Sequence, residues 1–249
     1  MKIVIRIFVL IALLLFGAYQ FVSRPEPTID RLHNPEAVNN LHLIDENQKT
    51  GFAIYRLGEP DADDIASLCA LGVREIAVLA GTALDHEVAY RDRCPGLQVV
   101  YNHEDDLSPL DAEWLEAFDA WVDRARDQGL KIAFRCTCGC HRTGRLAAYY
   151  QMKHRGLSAR DAWDLALARG YMMHAVDYFS SLQEQVLALE EHIQGVPCTQ
   201  GEHCVAEESR LPQRCQDPLS GCGWGTFEPV SGLETEAIER TANSGDAPT

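Results

Sequence analysis

Positive charge is what this sequence has least of. Its 22 Lys and Arg residues stand against 37 Asp and Glu, a formal charge of −15 over 249 residues. That balance argues against nucleic acid as a partner and against broad attraction to anionic membrane surfaces. It leaves room for a small phosphorylated ligand, because one local cradle of donors can oppose the global field. There is no internal repeat, and there is no paired Cys-x2-Cys zinc module. Cys198, Cys204, Cys215 and Cys222 are separated by five, ten and six residues, so a metal site is the minor reading there despite His203. In an exported protein an even cluster in a Gly- and Pro-containing segment points instead to disulfides. Cys69 and Cys94 stand apart and read as buried apolar side chains.

One long apolar run is present, at residues 3–22 with a clean core at 7–16, and Lys2 and Arg6 flank or interrupt it. Its length fits a secretory signal or an uncleaved anchor. No small-x-small cleavage site precedes Ser23, which favours the anchor. The basic start places that end in the cytoplasm and the rest outside, although Arg24 and Arg31 weaken the asymmetry. The expectation is an exported domain, anchored in the inner membrane and facing the periplasm or another extracytoplasmic space. Its only link to the membrane is this segment.

The remaining chain divides into a polar linker at 23–50, a domain at 51–195, a Cys-rich segment at 196–230 and a disordered tail at 231–249. The 46% apolar content suits one core of about 150 residues. Within the domain, Phe52-Ala53-Ile54-Tyr55 reads as a strand. Residues 61–71 read as a helix stopped at Gly72, and 73–80 and 98–101 as further strands. Ser108 caps a helix with Pro109 at its first position, and Trp114, Leu115, Phe118, Trp121 and Val122 form its apolar stripe. Ser158-Ala159-Arg160-Asp161 opens a helix running to Gly170, and 171–195 carries another.

The chemistry concentrates at 131–144. Ile132, Ala133 and Phe134 make a short buried strand, a loop follows from Cys136 to Arg142, and a helix begins at Thr143. A loop passing from strand to helix start aims several N–H groups at one spot, where the helix dipole also favours negative charge. Cys136 at its mouth is expected to lose its proton easily. Arg142, six residues on, offers a planar fork to two phosphate oxygens, and Gly139 supplies backbone freedom and close approach for an anion. A thiolate, an anion cradle and an Arg suit phosphoryl transfer to sulfur.

Cys136, Gly139, Arg142, Thr143 and Gly144 stand at the spacing of the Cys-x-x-Gly-x-x-Arg-Thr-Gly signature and resemble the cysteine-dependent dual-specificity and tyrosine phosphatases. His141 resembles the Gly-x-His-Arg-Thr-Gly variant of their atypical branch in plants, fungi and bacteria. Tyr55-Arg56-x-Gly58-x-Pro60, the helix, Gly72-Val73 and the next strand extend the resemblance over about residues 52–170. One departure is Arg135, where the family carries His before the nucleophile; a second positive charge there could favour the thiolate.

The resemblance implies an α/β fold, with a small central, mainly parallel sheet flanked by helices. It implies hydrolysis of a phosphate monoester through phosphocysteine, with Cys136 as nucleophile and no metal or organic cofactor. Arg142 and the loop positions Thr137, Cys138, Gly139, Cys140 and His141, with Gly144, would bind the phosphate, and the Thr143 hydroxyl would assist the sulfur. A general-acid loop is expected about thirty residues before the nucleophile, where His103-Glu104-Asp105-Asp106 lies. Either Asp105 or Asp106 can serve, and the four-residue step from Asp105 to Pro109 mirrors the family's spacing. Acidic residues ahead of a helix also simply favour its dipole.

The loop's variable positions hold no Lys. That favours phosphotyrosine on a protein, or another small monoester, over polyanionic inositol phosphates. Three rivals stand beside this reading. One is a catalytically weak pseudophosphatase that binds phosphorylated partners. Another is a redox or metal role for Cys136, Cys138, Cys140 and His141. The third is another thiol chemistry, such as sulfur transfer or arsenate reduction.

Overall fold

The structure is a computed structural model and describes residues 38–102, 111–170, 181–207, 227, 229–230 and 233. Five strands form one sheet in the order β1-β2-β5-β3-β4. They are β1 (His42–Asn47), β2 (Phe52–Leu57), β3 (Val73–Val78), β4 (Gln98–Asn102) and β5 (Lys131–Arg135). Strands β2, β5, β3 and β4 run parallel, and β1 pairs antiparallel with β2 at one edge. The fold is the α/β arrangement expected, with a mainly parallel sheet.

β5 lies at the centre because its short apolar run can be covered on both sides. Alternation sends Ile132 and Phe134 to one face and Ala133 to the other, and all three are fully buried. On the first face, Phe52, Ile54, Ile132 and Phe134 meet α2 (Ala112–Gln128), α3 (His141–Arg155), α4 (Ala159–Ala168) and α5 (Leu182–Gln194). On the second, Leu57, Ile76 and Ala133 meet Ile65 and Leu68 of α1 (Ala62–Leu71).

The helix limits follow local chemistry. Asp61 and Asp64 form a capping box at the start of α1, and Gly72 closes it at φ 84°. Ser158 caps α4 through the Asp161 amide, as the sequence suggests. α2 differs: it opens not at Ser108-Pro109, which lie outside the described residues, but at Asp111. The Asp111 carboxylate accepts from the Trp114 amide at 2.7 Å, and Asp is as good an N-cap as Ser.

Both domain limits need correction. The expected linker at 23–50 contains β1, so the sheet begins nine residues before Gly51. Its signal is weak because β1 is an edge strand in which only Ile44 is buried. At the other end, Phe227 returns to the core. It is fully buried and stacks on Trp121 and Tyr101 at 5.0 and 5.3 Å, while Arg124 Nη2 donates to its carbonyl at 2.8 Å. Leu233, placed by sequence in the tail, is buried beside Val78, Ala83 and Leu84.

Cys198 and Cys204 are disulfide-bonded, within the expected cluster; Cys215 and Cys222 lie outside the described residues. Cys69 and Cys94 are also bonded, which corrects their reading as buried apolar side chains. The end of α1 and the turn after Arg91–Arg93 bring their Cα atoms to 5.3 Å. The N-terminal apolar run lies outside the described residues, among which no helix is long and apolar enough to cross a membrane.

Candidate active site

The parallel register decides which loops meet. Val78 pairs with Arg135 on one side and with Asn102 on the other. The chain therefore leaves β5 towards Cys136 and leaves β4 towards His103 from the same carboxyl edge, two strand spacings or about 10 Å apart. Asp105 and Asp106 belong to that second exit but lie outside the described residues.

Three successive carbonyl groups of the Cys136–Arg142 loop are fastened from outside. Thr137 O accepts from the Glu59 amide at 2.8 Å and Cys138 O from Asn40 Nδ2 at 3.0 Å, while Gly139 O accepts from Arg56 Nη2. Because each trans peptide sets its N–H opposite its C=O, the amides of Cys138, Gly139 and Cys140 turn inwards. The Cys140 amide accordingly donates to the Cys138 sulfur at 3.1 Å. α3 starts at Cys140 without any side-chain cap.

Gly139 has φ 70°, the freedom the sequence argument required. The close approach it permits is to the chain itself rather than to an anion. A Cβ there would lie 2.6 Å from Gly58 N and 2.7 Å from the Leu57 carbonyl carbon. Gly170 plays a matching part, since its own Cβ would come 2.7 Å from that of Cys140. Cys140 is buried in this contact, and its thiol faces the Cys138 carbonyl at 3.3 Å. It offers the cradle an amide, and its side chain belongs to the scaffold. Gly144 is likewise buried within α3, its amide donating to Cys140 O at 2.8 Å. Thr137 is exposed, while Cys138, His141 and Arg142 are half-buried.

The expected acidic nucleophile is not what this arrangement gives. Cys136 is buried and its pKa is raised, first by a hydrogen bond with Cys138 and then by burial, while the Thr143 hydroxyl and amide pull it down. The Cys138 sulfur accepts from the Cys140 amide and is the principal partner of Cys136. For Cys138 itself, the bond with Cys136 pulls down. The bond with Cys140, burial and the Cys140 charge outweigh that and push it up to about 12. His141 is lowered by burial, against the pull of Cys136 and with the charge of Arg142, and its Nδ1 lies 3.6 Å from the Cys138 sulfur. The Thr143 hydroxyl is buried and meets no partner within hydrogen-bond limits, yet it stands near enough to Cys136 to lower that thiol. A hydroxyl so placed can turn to the sulfur once it is charged.

The raised thiol has a testable consequence. Removing the largest cause by Cys138→Ala lowers the Cys136 pKa, so more thiolate is present at any given acidic pH. The ascending limb of kcat/KM should move to lower pH, measured on an aryl phosphate. A limb that stays in place removes Cys138 as the controlling group.

Arg135 does not act on the thiolate as a free second charge. It is fully buried, with Nε and Nη2 each 2.7 Å from the two Glu87 oxygens and Nη1 3.4 Å from Glu59. Its remaining donors reach Ala80 O and Thr82 O at 2.9 and 3.2 Å. This pair fixes the carboxyl edge of β5, and among the causes that raise Arg135 the charge of Cys136 comes after those of Glu87 and Glu59.

The sequence argument missed the braces Arg56 and Asn40. Arg56 sits at an inward position of an otherwise apolar strand, a signal that was available. Burial pulls its pKa down to about 10, opposed chiefly by the charges of Cys136 and Cys140. Asn40, next to β1, gave no such signal. Among the described residues no three His, Cys, Asp or Glu side chains are grouped as a metal site, so the three loop thiols and His141 do not form one.

No protein-family model matches the chain. Solved structures do. Tk-PTP in its active form is 23% identical over 61% of this chain and 97% of its own, with a TM-score of 0.45. TpbA of P. aeruginosa is 18% identical over 61% and 96%, at 0.42. The core catalytic domain of the PP-IP phosphatase SIW14 from S. cerevisiae is 16% identical over 59% and 85%, at 0.43. These neighbours are phosphatases. At such identities and scores they are similar structures, and the activity of this chain has to be argued from its own site.

Proposed function

We propose that this chain is a cysteine-dependent phosphatase acting on phosphate monoesters, with phosphotyrosine as the favoured class. The observation that carries the reading is the loop itself. Cys136 stands at the carboxyl end of the central strand, under inward-turned amides and an uncapped helix start, with Arg142 in the first turn of α3. In the first step the Cys136 thiolate attacks phosphorus, the P–O bond to the leaving group breaks, and Asp105 or Asp106 protonates the departing oxygen. Arg142 and the loop amides stabilise the equatorial oxygens. In the second step water attacks the phosphocysteine, its proton passes to the same carboxylate, and Thr143 eases the departure of sulfur. Thr137, Cys138 and His141 border the opening and contact the substrate, and no metal is required.

The test is rapid-quench trapping during turnover of an aryl phosphate in the presence of a chelator. A phosphate adduct should appear on Cys136 and accumulate in whichever of Asp105→Asn and Asp106→Asn slows its hydrolysis. Turnover with no adduct at any time would remove the mechanism. Binding of phosphotyrosine without turnover in the wild type would favour the pseudophosphatase, for which the raised Cys136 thiol is the supporting observation.

We also propose that the domain works outside the cytoplasm, held by its N-terminal apolar segment. The Cys69–Cys94 and Cys198–Cys204 bonds support this, because structural disulfides persist in oxidising compartments. A C-terminal fusion to a reporter active only outside the cytoplasm should score positive; a negative score with all four of these thiols free would reverse the placement.

A further inference from the structure

Behind the cysteine loop lies a second concentration of positive charge that the proposed reaction does not use. A cavity of about 240 Å³ opens between the β1 edge, α3 and the end of α4. Arg56, Arg155, Arg169 and His42 line it, together with the apolar side chains of Leu43, Ile44, Leu157 and Leu165. No Asp or Glu among the described residues lines it. In a chain of formal charge −15 this is a local reversal of sign.

Arg56 is the decisive member. It is 4% exposed, and its Nε has no hydrogen-bond partner. Leaving such a donor unpaired in a dry interior is costly, and more so where the group is charged. That nitrogen is sealed from solvent, so an anion in the cavity meets Arg56 at the cavity wall and not through Nε. Arg155 comes to the rim with one nitrogen on Ile44 O at 2.9 Å and on Asp45 at 3.2 Å, which steadies its guanidinium. The apolar lining covers the opposite side, and Leu43 and Leu165 remain exposed there.

We propose that this cavity is a binding site for a small organic oxyanion, a phosphate or carboxylate head with a short apolar arm, distinct from the cysteine loop. The head lies against Arg56, Arg155 and Arg169, and the arm lies along Leu43, Leu157 and Leu165. The site is wired to the loop at two points. Arg56 holds Gly139 O, and Asn40 joins His42 at 2.9 Å to Cys138 O at 3.0 Å and Arg169 O at 3.1 Å. An occupant therefore braces from behind the carbonyl groups whose amides face the cradle.

The experiment uses the full chain carrying Arg142→Ala, so that binding is read without the loop's own Arg. Butylphosphonate, which cannot be hydrolysed, and pentanoate are titrated by calorimetry. Thermal unfolding of each variant is run alongside. At least one probe should bind, and adding Arg155→Ala with Arg169→Ala should weaken it by about tenfold or more, the size expected for lost charge-assisted bonds. Where the double change unfolds early, Arg169→Ala alone, at an exposed position, gives the comparison. Hydrogen exchange of the Gly139 and Cys140 amides should slow when the probe is bound. The two probes tell which head group is preferred. Absence of binding by both, or binding indifferent to Arg155 and Arg169, overturns the proposal. Neither result depends on turnover, so failure here is separate from failure of the phosphatase reading.

Discussion

Cys136→Ser should reduce turnover of para-nitrophenyl phosphate by at least about 10³-fold, while Cys140→Ser keeps activity within about tenfold of wild type. The contrast rests on direction. Both thiols lie in one loop and both are buried, but Cys136 directly follows β5 and Cys140 is turned onto Gly170. A serine oxygen at 136 is a far weaker nucleophile at neutral pH, and the cradle cannot offset that. Serine at 140 fits the same volume and can still donate to the Cys138 carbonyl. Parallel thermal unfolding separates a lost nucleophile from a lost fold. Wild-type turnover in Cys136→Ser would end the assignment of the nucleophile, and equal losses at both positions would mean that the loop, not the sulfur, had failed.

Glu87→Gln should destabilise the protein by about 3–5 kcal/mol, because it strands the fully buried Arg135 guanidinium with weakened partners. For a chain of this size that is a fall in Tm of roughly 10 °C or more. Replacing both members with Met should cost much less than Glu87→Gln alone, since the second change removes the uncompensated charge. Calorimetry of Glu87→Met, Arg135→Met and the double Met variant completes the cycle. Additive losses would show that Glu87 and Arg135 contribute separately. Activity should fall with Arg135→Met even where the fold survives, because this pair fixes the strand end from which Cys136 departs.

The central strand, the loop and α3 were legible because their signals are local. Three apolar residues, a Gly at the one loop position needing positive φ, and an Arg in the first helical turn all fall within fourteen residues. α1 and α4 were legible through their caps. What was not legible depends on distance. Glu87 lies 48 residues from Arg135, in an irregular stretch with no periodicity to announce it. The Cys69–Cys94 bond joins a helix end to a turn that only the folded sheet brings together. β1 was read as linker because an edge strand with one buried residue carries almost no alternation. The acidity expected of Cys136 failed for another reason. The composition of the loop indicates where its amides point, but not that the neighbouring Cys138 sulfur would fold in among them.

The braces on the loop also bear on the order of folding. Asn40 reaches Cys138 across 98 residues and Arg169 across 129, and Arg56 reaches Gly139 across 83. Contacts of such separation form late, after loop-closure entropy has been overcome. Arg56 reaches about as far as the β2–β5 pairing of Ala53 with Lys131, but Asn40 reaches further, so the sheet can gather while the segment from Cys136 to Arg142 still lacks the Asn40 brace. Until Asn40 and Gly170 close on it from either side, its three thiols are open to exchange with the four that, among the described residues, end in disulfides. In an oxidising compartment the pairing of Cys69 with Cys94 would compete with mispairing to Cys136, Cys138 or Cys140, and the closing of the loop would end that competition.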